Sequence, residues 1–382
     1  MIYFDNSATT KIAPGALQTY QAVSEQFYGN PSSLHVVGEK AFHLLEQSRQ
    51  QIADLLNVQS DEIYFTSGGT EGDNWVLKGT AIEKSAFGKH LITTSVEHPA
   101  IIKSMQQLEK LGFEVTYLPV DKFGRINPAD LKAAIRSDTI LVSIMAVNNE
   151  IGTCQPLMAA AEILKDYPNI HFHVDAVQGI GKGIQKEIFN DRVDFVTLSG
   201  HKFHGPRGTG ILYKKRDRHL APLLTGGGQE HDLRSGTENV PAIAAMAKAL
   251  RLLLTDEAQK VQKQAAIRER IYQHVSQAEK TVMFSQLTPD FAPHILCFAI
   301  KGVRGETTVH AFEEHEIYIS TTSACSSKKG MESSTLKAMH VNEKIATSAI
   351  RISLDEYNTL AEADEFIKAF DQINHRFKKI NS

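Results

Sequence analysis

Five short apolar or β-branched runs, each followed at once by polar residues, constrain this chain more than any other feature. They are Ile63 to Thr66, His90 to Ser95, Thr139 to Val147, Ile170 to Val174 and Val193 to Leu198, and they alternate with helical patterns. That alternation predicts an α/β fold, a mainly parallel sheet covered by helices. Ligands of such sheets bind outside the carboxyl ends of the strands, so the residues directly after each run are the candidate site.

Those residues are polar and chemically useful. Ser67-Gly68-Gly69-Thr70-Glu71-Gly72 follows the first run and opens a helix, offering backbone N–H groups and a hydroxyl to an anion. The same residues would also make an ordinary capped helix start. Glu97-His98-Pro99 follows the second run, with Pro99 suited to a first helical turn. His98 there can stack on a flat ring, shuttle protons or simply cap the helix. Asn148-Asn149-Glu150 follows the third run, and Asp175 with Gln178 the fourth. A carboxylate at a buried strand end needs a cationic partner, which a protonated ring nitrogen would supply. After the fifth run stands Ser199-Gly200-His201-Lys202, then FHGPRGTG and the apolar ILY, read as a tight turn and a returning strand. Lys202 is thereby expected at the ligand edge, although most lysines beside turns are simply solvated.

At 382 residues the chain exceeds what one apolar core ordinarily supports, so two domains are expected. The helical stretch from Val240 to about Arg270, rich in Ala, Leu, Lys and Gln, reads as a bridge between them. The boundary is placed near residue 256. Residues 1–14 then form an N-terminal segment packing with the small domain, 15–256 the large domain, and 257–382 a small α+β domain. The last contains alternating segments at His294 to Ile300, Glu316 to Ser320 and Ala349 to Ser353. A formal charge of 41 − 44 = −3 provides no positive field for nucleic acid or an anionic membrane. MIYFDNSATT lacks the apolar run of a signal peptide and no stretch approaches a membrane span, so a cytoplasmic location is expected. No GxGxxG follows a strand and no GxxxxGK[ST] occurs, which argues against nucleotide-binding enzymes.

Ten strings, in order, carry a resemblance that spans nearly the whole chain: DNSATT (5–10), GNPSSLH (29–35), FTSGGTE (65–71), VEHPA (96–100), VNNEIG (147–152), HVDAVQ (173–178), SGHKFHGPRG (199–208), RSGTEN (234–239), SACSS (323–327) and RISL (351–354). Together they resemble the class V aminotransferase group of fold-type I pyridoxal-phosphate (PLP) enzymes, specifically its cysteine desulfurases of the NifS and IscS kind. The resemblance implies a large domain with a mainly parallel seven-stranded sheet and a smaller α+β domain. It implies that Lys202 forms the Schiff base with PLP and that Asp175 keeps the pyridine nitrogen protonated, so that the ring acts as an electron sink. It further implies that Gln178 donates to the ring's phenolic oxygen, that His98 stacks on the ring face and that Asn149 lies at its edge and beside the substrate. Gly69, Thr70, Ser199 and His201 would hold the phosphate, completed by Thr237 of a neighbouring subunit; a homodimer is implied with it. Arg351 would grip the carboxylate of L-cysteine, a task suited to a planar fork. His98 would serve as acid/base for the substrate thiol and Lys202 for the carbon-bound protons.

Three cysteines compete for the role of sulfur acceptor, and no CxxC pair links them. Cys297 lies in the apolar HILCFAI and reads as a buried space-filler. Cys154 follows NNEIGT, where a packing role is the safer reading. Cys325, in ISTTSACSSKKG with Lys328 and Lys329 beyond, is expected on a mobile exposed loop where cations favour the thiolate. The matching family cysteine takes the substrate sulfur as a persulfide, releases alanine and delivers the sulfur to an acceptor protein, an iron–sulfur scaffold or a tRNA-thiolation enzyme. Thr322 and Asp355 stand where many relatives have glycine, and Ala146 where many have histidine. The competing readings are a selenocysteine lyase, a class V aminotransferase, and a sulfur-relay docking protein without turnover.

Overall fold

A computed structural model describes residues 1–322 and 333–380. Its strands are β1 (Ile2–Tyr3), β2 (Ile63–Thr66), β3 (His90–Thr94), β4 (Glu114–Leu118), β5 (Thr139–Met145), β6 (His171–Asp175), β7 (Phe195–Ser199), β8 (Gly210–Lys214), β9 (Thr281–Met283), β10 (Ile295–Ile300), β11 (Ile317–Tyr318), β12 (Ser320–Thr321) and β13 (Ala349–Ser353). All five expected strands are present within two residues of their ends, together with β4 at the sheet edge.

The large sheet has seven strands in the order β2-β8-β7-β6-β5-β3-β4. The run from β7 through β6, β5 and β3 to β4 is parallel, while β8 is antiparallel to both β7 and β2. The sequence predicts this core well because parallel strands covered on both faces read as continuous apolar runs. All seven residues of β5 are buried. At the edge, β4 reads EVTYL and leaves its first residue exposed, which is why its signal is weaker. Helices α1 (Pro14–Gln26), α2 (Val36–Leu56), α3 (Gly69–Glu83) and α4 (Pro99–Lys110) precede α5 (Pro128–Ala134), α6 (Leu157–Leu164) and α7 (Gln185–Ile188).

The expected helical bridge is two helices, α8 (Val240–Leu254) and α9 (Glu257–Val275). Thr255 turns extended and Asp256 adopts left-handed geometry (φ 55°), so the chain changes direction between them. The periodicity continues on both sides, which hides the break from a sequence reading. Ala- and Leu-rich α8 is buried along most of its length and packs on α1 and α2.

A second sheet, in the order β12-β13-β10-β9, is antiparallel throughout. It is accompanied by α10 (Gly305–Glu313), α11 (Ser334–Ala338), α12 (Glu343–Ala346) and α13 (Leu360–Ile380). Phe298, Phe312, Phe366 and Phe370 are fully buried here, and Phe4 of the N-terminal segment joins the same apolar cluster. Each such ring contributes roughly 1.5–3 kcal/mol by leaving water. The N-terminus is held by parallel pairing of β1 with β11, Ile2 opposite Ile317. Among the described residues, no helix is long and apolar enough to cross a membrane.

Candidate active site

The carboxyl ends of β2, β3, β5, β6 and β7 meet on one side of the large sheet. Register places Met145 and Asp175, the last residues of β5 and β6, side by side with Thr197 of β7. Beyond Ser199 the chain makes a single 3-10 turn, Gly200–Lys202, which delivers Lys202 to that edge. Gly200 is required there: a Cβ would lie 2.3 Å from the Thr209 hydroxyl. The Lys202 ammonium donates to the Ser7 and Ala8 carbonyls of the N-terminal segment. The Ser7 carbonyl also accepts from Gln178 Nε2 at 3.0 Å, and Gln178 Oε1 meets His294 Nε2 at 3.3 Å. The N-terminal DNSATT string therefore belongs to the site.

Asp175 is buried, and one carboxylate oxygen accepts the Val177 N–H at 2.9 Å. Burial pushes its pKa up, while the charges of His98 and Lys202 and the Val177 hydrogen bond pull it down. Behind it, Ser143 Oγ and Thr197 Oγ1 hold the two nitrogens of fully buried His173 at 2.9 Å each. Burial drives His173 down to about 3, so the ring is neutral, and Asp73 lies 3.7 Å from it. Asp73 is itself raised well above the usual carboxylate range, by burial and by the Asp175 charge. Glu97 adds a third buried acid, raised to about 8 by burial and held by Thr94 Oγ1 and the Met145 N–H. Neither the Asp73–His173 pair nor the protonated state of Glu97 was foreseen from sequence, because both depend on how deeply neighbouring strands cover them.

His98 is both a cap and a site residue. It precedes Pro99 at the first helical position of α4, and its Nδ1 accepts the Ala100 N–H at 3.2 Å. Nδ1 therefore carries no proton, which leaves Nε2 as the protonated nitrogen of the neutral ring. Burial and the Lys202 charge lower its pKa, while Asp175 raises it. The start of α3 lies nearby: a Cβ on Gly69 would fall 2.9 Å from Val177 Cγ2, and Gly68 (φ 150°) sits against Ser199 Oγ. Thr70 and His98 share one groove with Asn74, Lys103 and Ser104. His201 hydrogen-bonds Thr9 at 3.1 Å and is lowered to about 4, first by burial, then by Lys202 and Arg207.

Arg351 projects from β13. Its NH1 donates to the Asn149 carbonyl at 2.8 Å and its NH2 to Asp5 Oδ1 at 2.8 Å, while its buried Nε has no partner among the described residues. The link to Asp5 was missed from sequence, although DNSATT displayed the acid. Thr237 is exposed on the segment before α8. Cys297 is fully buried, its thiol pushed far up, and burial pushes Cys154 up to about 12. Both are poor nucleophiles. Cys325 lies outside the described residues. Of the departures from the family pattern, Ala146 is fully buried against Gly179, where a histidine would not fit this packing. Thr322 is buried, and Asp355 Oδ1 accepts the N–H groups of Tyr357 and Asn358, so it fixes a turn.

These residues fit PLP. A buried carboxylate lies within reach of the Lys202 charge and the His98 ring, a lysine stands at the strand edge, and a glycine-lined helix start faces Ser199. A protonated ring nitrogen, an aldehyde and a phosphate would complement the three in turn.

The aminotransferase class-V family matches residues 2–366. A NifS/IcsS protein homolog of Lactobacillus delbrueckii subsp. bulgaricus is 64% identical over 381 residues, covering 100% of this chain and 99% of that protein. The cysteine desulfurase IscS of Methanosarcina thermophila is 39% identical over 380 residues, covering 100% and 93%. Among solved structures, a NifS-like protein superimposes with a TM-score of 0.90 at 37% identity, over 97% of this chain and 98% of that one. Fold, site chemistry and relatives agree: the chain belongs to the class-V aminotransferase family and, within it, to the PLP-dependent cysteine desulfurases.

Proposed function

We propose that this desulfurase transfers the sulfur of L-cysteine to its own Cys325 and then to an acceptor protein in the cytoplasm. The observation that carries the reading is the convergence of Lys202, Asp175 and His98 at one edge of the large sheet, with Arg351 of β13 reaching the Asn149 carbonyl beyond β5. PLP, when bound, supplies an electron sink for the substrate's α-carbon. Lys202 holds the cofactor and moves the carbon-bound protons, Asp175 pairs with the ring nitrogen, and Gln178, Asn149 and the His98 ring flank it. Gly69, Thr70, Ser199 and His201 hold the phosphate, with Thr237 of a second subunit. Arg351 holds the substrate carboxylate with its Nε and NH2 groups.

For the substrate thiol His98 serves as acid/base through Nε2, the nitrogen not engaged by the Ala100 N–H; to accept a proton there the ring first switches to its Nδ1-protonated tautomer and gives up that cap. The Cys325 thiolate attacks the substrate sulfur, so that an S–S bond forms as the carbon–sulfur bond breaks. The carbon keeps the electron pair and takes a proton to become the methyl group of alanine. Cys325 is left as a persulfide, and atoms and electrons balance without an external oxidant. Delivery goes to an iron–sulfur scaffold or a tRNA-thiolation enzyme. The domain division at 256 assigns Lys202 to the large unit and both Arg351 and Cys325 to the small one. A homodimer is supported by apolar residues exposed around α1 and α2, among them Leu17, Tyr28, Leu34, Val36 and Phe42.

The test compares alanine and sulfide release from L-cysteine, with a reductant, in the wild type and Cys325→Ala, while following the visible absorbance of the cofactor. Turnover is lost and absorbance retained if Cys325 is the acceptor. Unchanged turnover rejects that role.

A further inference from the structure

Two residues beyond Lys202, His204 adopts left-handed backbone geometry (φ 64°) and is almost fully buried. Its N–H donates to Thr10 Oγ1 at 2.9 Å. Its ring lies between two oxygen acceptors, with Nδ1 at 2.8 Å from the Lys11 carbonyl and Nε2 at 3.2 Å from Glu356 Oε2. Asp355 Oδ2 follows at 3.8 Å from Nε2. A neutral imidazole has one N–H and would turn a lone pair toward the other oxygen. Only the doubly protonated ring donates to both.

We propose that His204 is a positioning residue that works as a buried imidazolium: by donating at once to the Lys11 carbonyl and the Glu356 carboxylate, it clamps the Lys202 turn, the N-terminal segment and the turn after β13 into one unit. The three stretches are those that shape the site. Residues 7 and 8 receive the Lys202 ammonium, and β13 carries Arg351. The consequence for catalysis rests on Lys202 being the cofactor lysine; the clamp itself does not.

The surroundings are consistent with a cation. Half-buried Lys182 lines the same small cavity, with Lys202, Gln178 and His294, and its ammonium reaches Gln264 Oε1 at 3.3 Å. The Lys263 ammonium donates to the Glu356 carbonyl at 2.9 Å. The Tyr357 ring meets the imidazole edge-on at 5.1 Å. His204 and Lys182 thus stand against Asp355 and Glu356, two cations facing two carboxyls. Burial lowers the His204 pKa, but the Glu356 hydrogen bond and the Glu356 and Asp355 charges outweigh it, and the balance is upward. Burial raises Glu356, yet His204 and Lys182 hold it down to about 2. Burial and the Glu356 charge raise Asp355, against the His204 charge. For a histidine raised on folding, the stabilisation is complete below the unfolded value of about 6.5 and is lost as pH rises through the folded value.

The experiment uses the PLP-loaded enzyme with His204→Gln, Glu356→Gln and His204→Arg. The direct readout is the protonation of histidine nitrogens by NMR of 15N-histidine-labelled protein at neutral pH, with His204 assigned from the signal missing in His204→Gln. Both nitrogens are expected to carry protons; a neutral ring overturns the proposal. The second readout is the thermal midpoint against pH. In the wild type it falls as pH rises above about 6.5, and His204→Gln and Glu356→Gln flatten that fall. His204→Arg, with a permanent charge and several donors, restores the midpoint without the slope. An unchanged slope in both neutral variants overturns the clamp; if His204→Gln does not fold, Glu356→Gln carries the test. With Lys202 as cofactor lysine, the neutral variants lower kcat by about tenfold and leave KM within about twofold. If Lys202→Ala keeps the cofactor's absorbance unchanged, the assignment of Lys202 fails, whereas the nitrogen signals and the pH slope still judge the clamp.

Discussion

Replacing Arg351 by lysine keeps a positive charge on β13 and removes the fork. In the structure NH1 is committed to the Asn149 carbonyl and NH2 to Asp5, each at 2.8 Å, and the buried Nε has no partner among the described residues. Nε and NH2 present parallel N–H groups, so a substrate carboxylate can bridge them while Asp5 shares or yields NH2. A lysine ammonium is a point charge. Reaching the carboxylate, it gives up the second parallel bond, a charge-assisted one contributing about 1.5–3 kcal/mol. At 1.36 kcal/mol per factor of ten, Arg351→Lys should lower kcat/KM for L-cysteine roughly 10- to 150-fold. The carboxylate is not a reacting group, so its contacts persist from bound substrate to transition state and the loss belongs in KM. The assay is the initial rate of alanine formation over a range of L-cysteine concentrations, with cofactor absorbance checked in both proteins. A kcat/KM within about threefold of the wild type, or a loss confined to kcat, would refute the carboxylate role of Arg351.

Three further outcomes can be checked. Arg49 is buried on α2 and forks onto buried Glu230 at 2.7 and 2.9 Å, while Glu230 also accepts the Phe65 N–H. Arg49→Met strands that carboxylate and should cost about 3–5 kcal/mol in urea unfolding at fixed protein concentration. The double variant Arg49→Met/Glu230→Leu should recover part of the loss; strict additivity argues against the pairing. Glu97, raised to about 8 by burial, is protonated when folded but ionised when unfolded between about pH 4.5 and 8, so stability declines with rising pH across that window. Glu97→Gln, a neutral isostere, should remove this part of the decline, and a wild-type profile in the variant contradicts the assignment. In Cys325→Ala, native thiol titration at pH 8 should find almost no reactive thiol, because Cys297 is buried and Cys154 is pushed up to about 12. Both should appear on denaturation, and rapid native labelling would return Cys154 to consideration as an acceptor.

The five apolar runs and the residues behind them were enough to determine the parallel sheet, its ligand edge and the placing of His98, Asp175 and Lys202 there. Strand periodicity and burial are local properties, and a parallel sheet collects the ends of all its strands on one side. The motifs also separated Cys297 from a reactive thiol, since an apolar strand declares its own burial. What tertiary structure alone decided were contacts between distant parts of the chain. Asp5 meets Arg351 across 346 residues of sequence, and the Ser7 carbonyl receives Lys202 across 195. Neither separation leaves a periodic trace. The turn at Thr255–Asp256 divides a continuous helical pattern because one left-handed residue can reverse a chain without altering its composition. Buried acids such as Asp73 and Glu97 read as ordinary charges in sequence. Their protonation follows from desolvation by neighbouring strands, a property of the assembled core rather than of any segment.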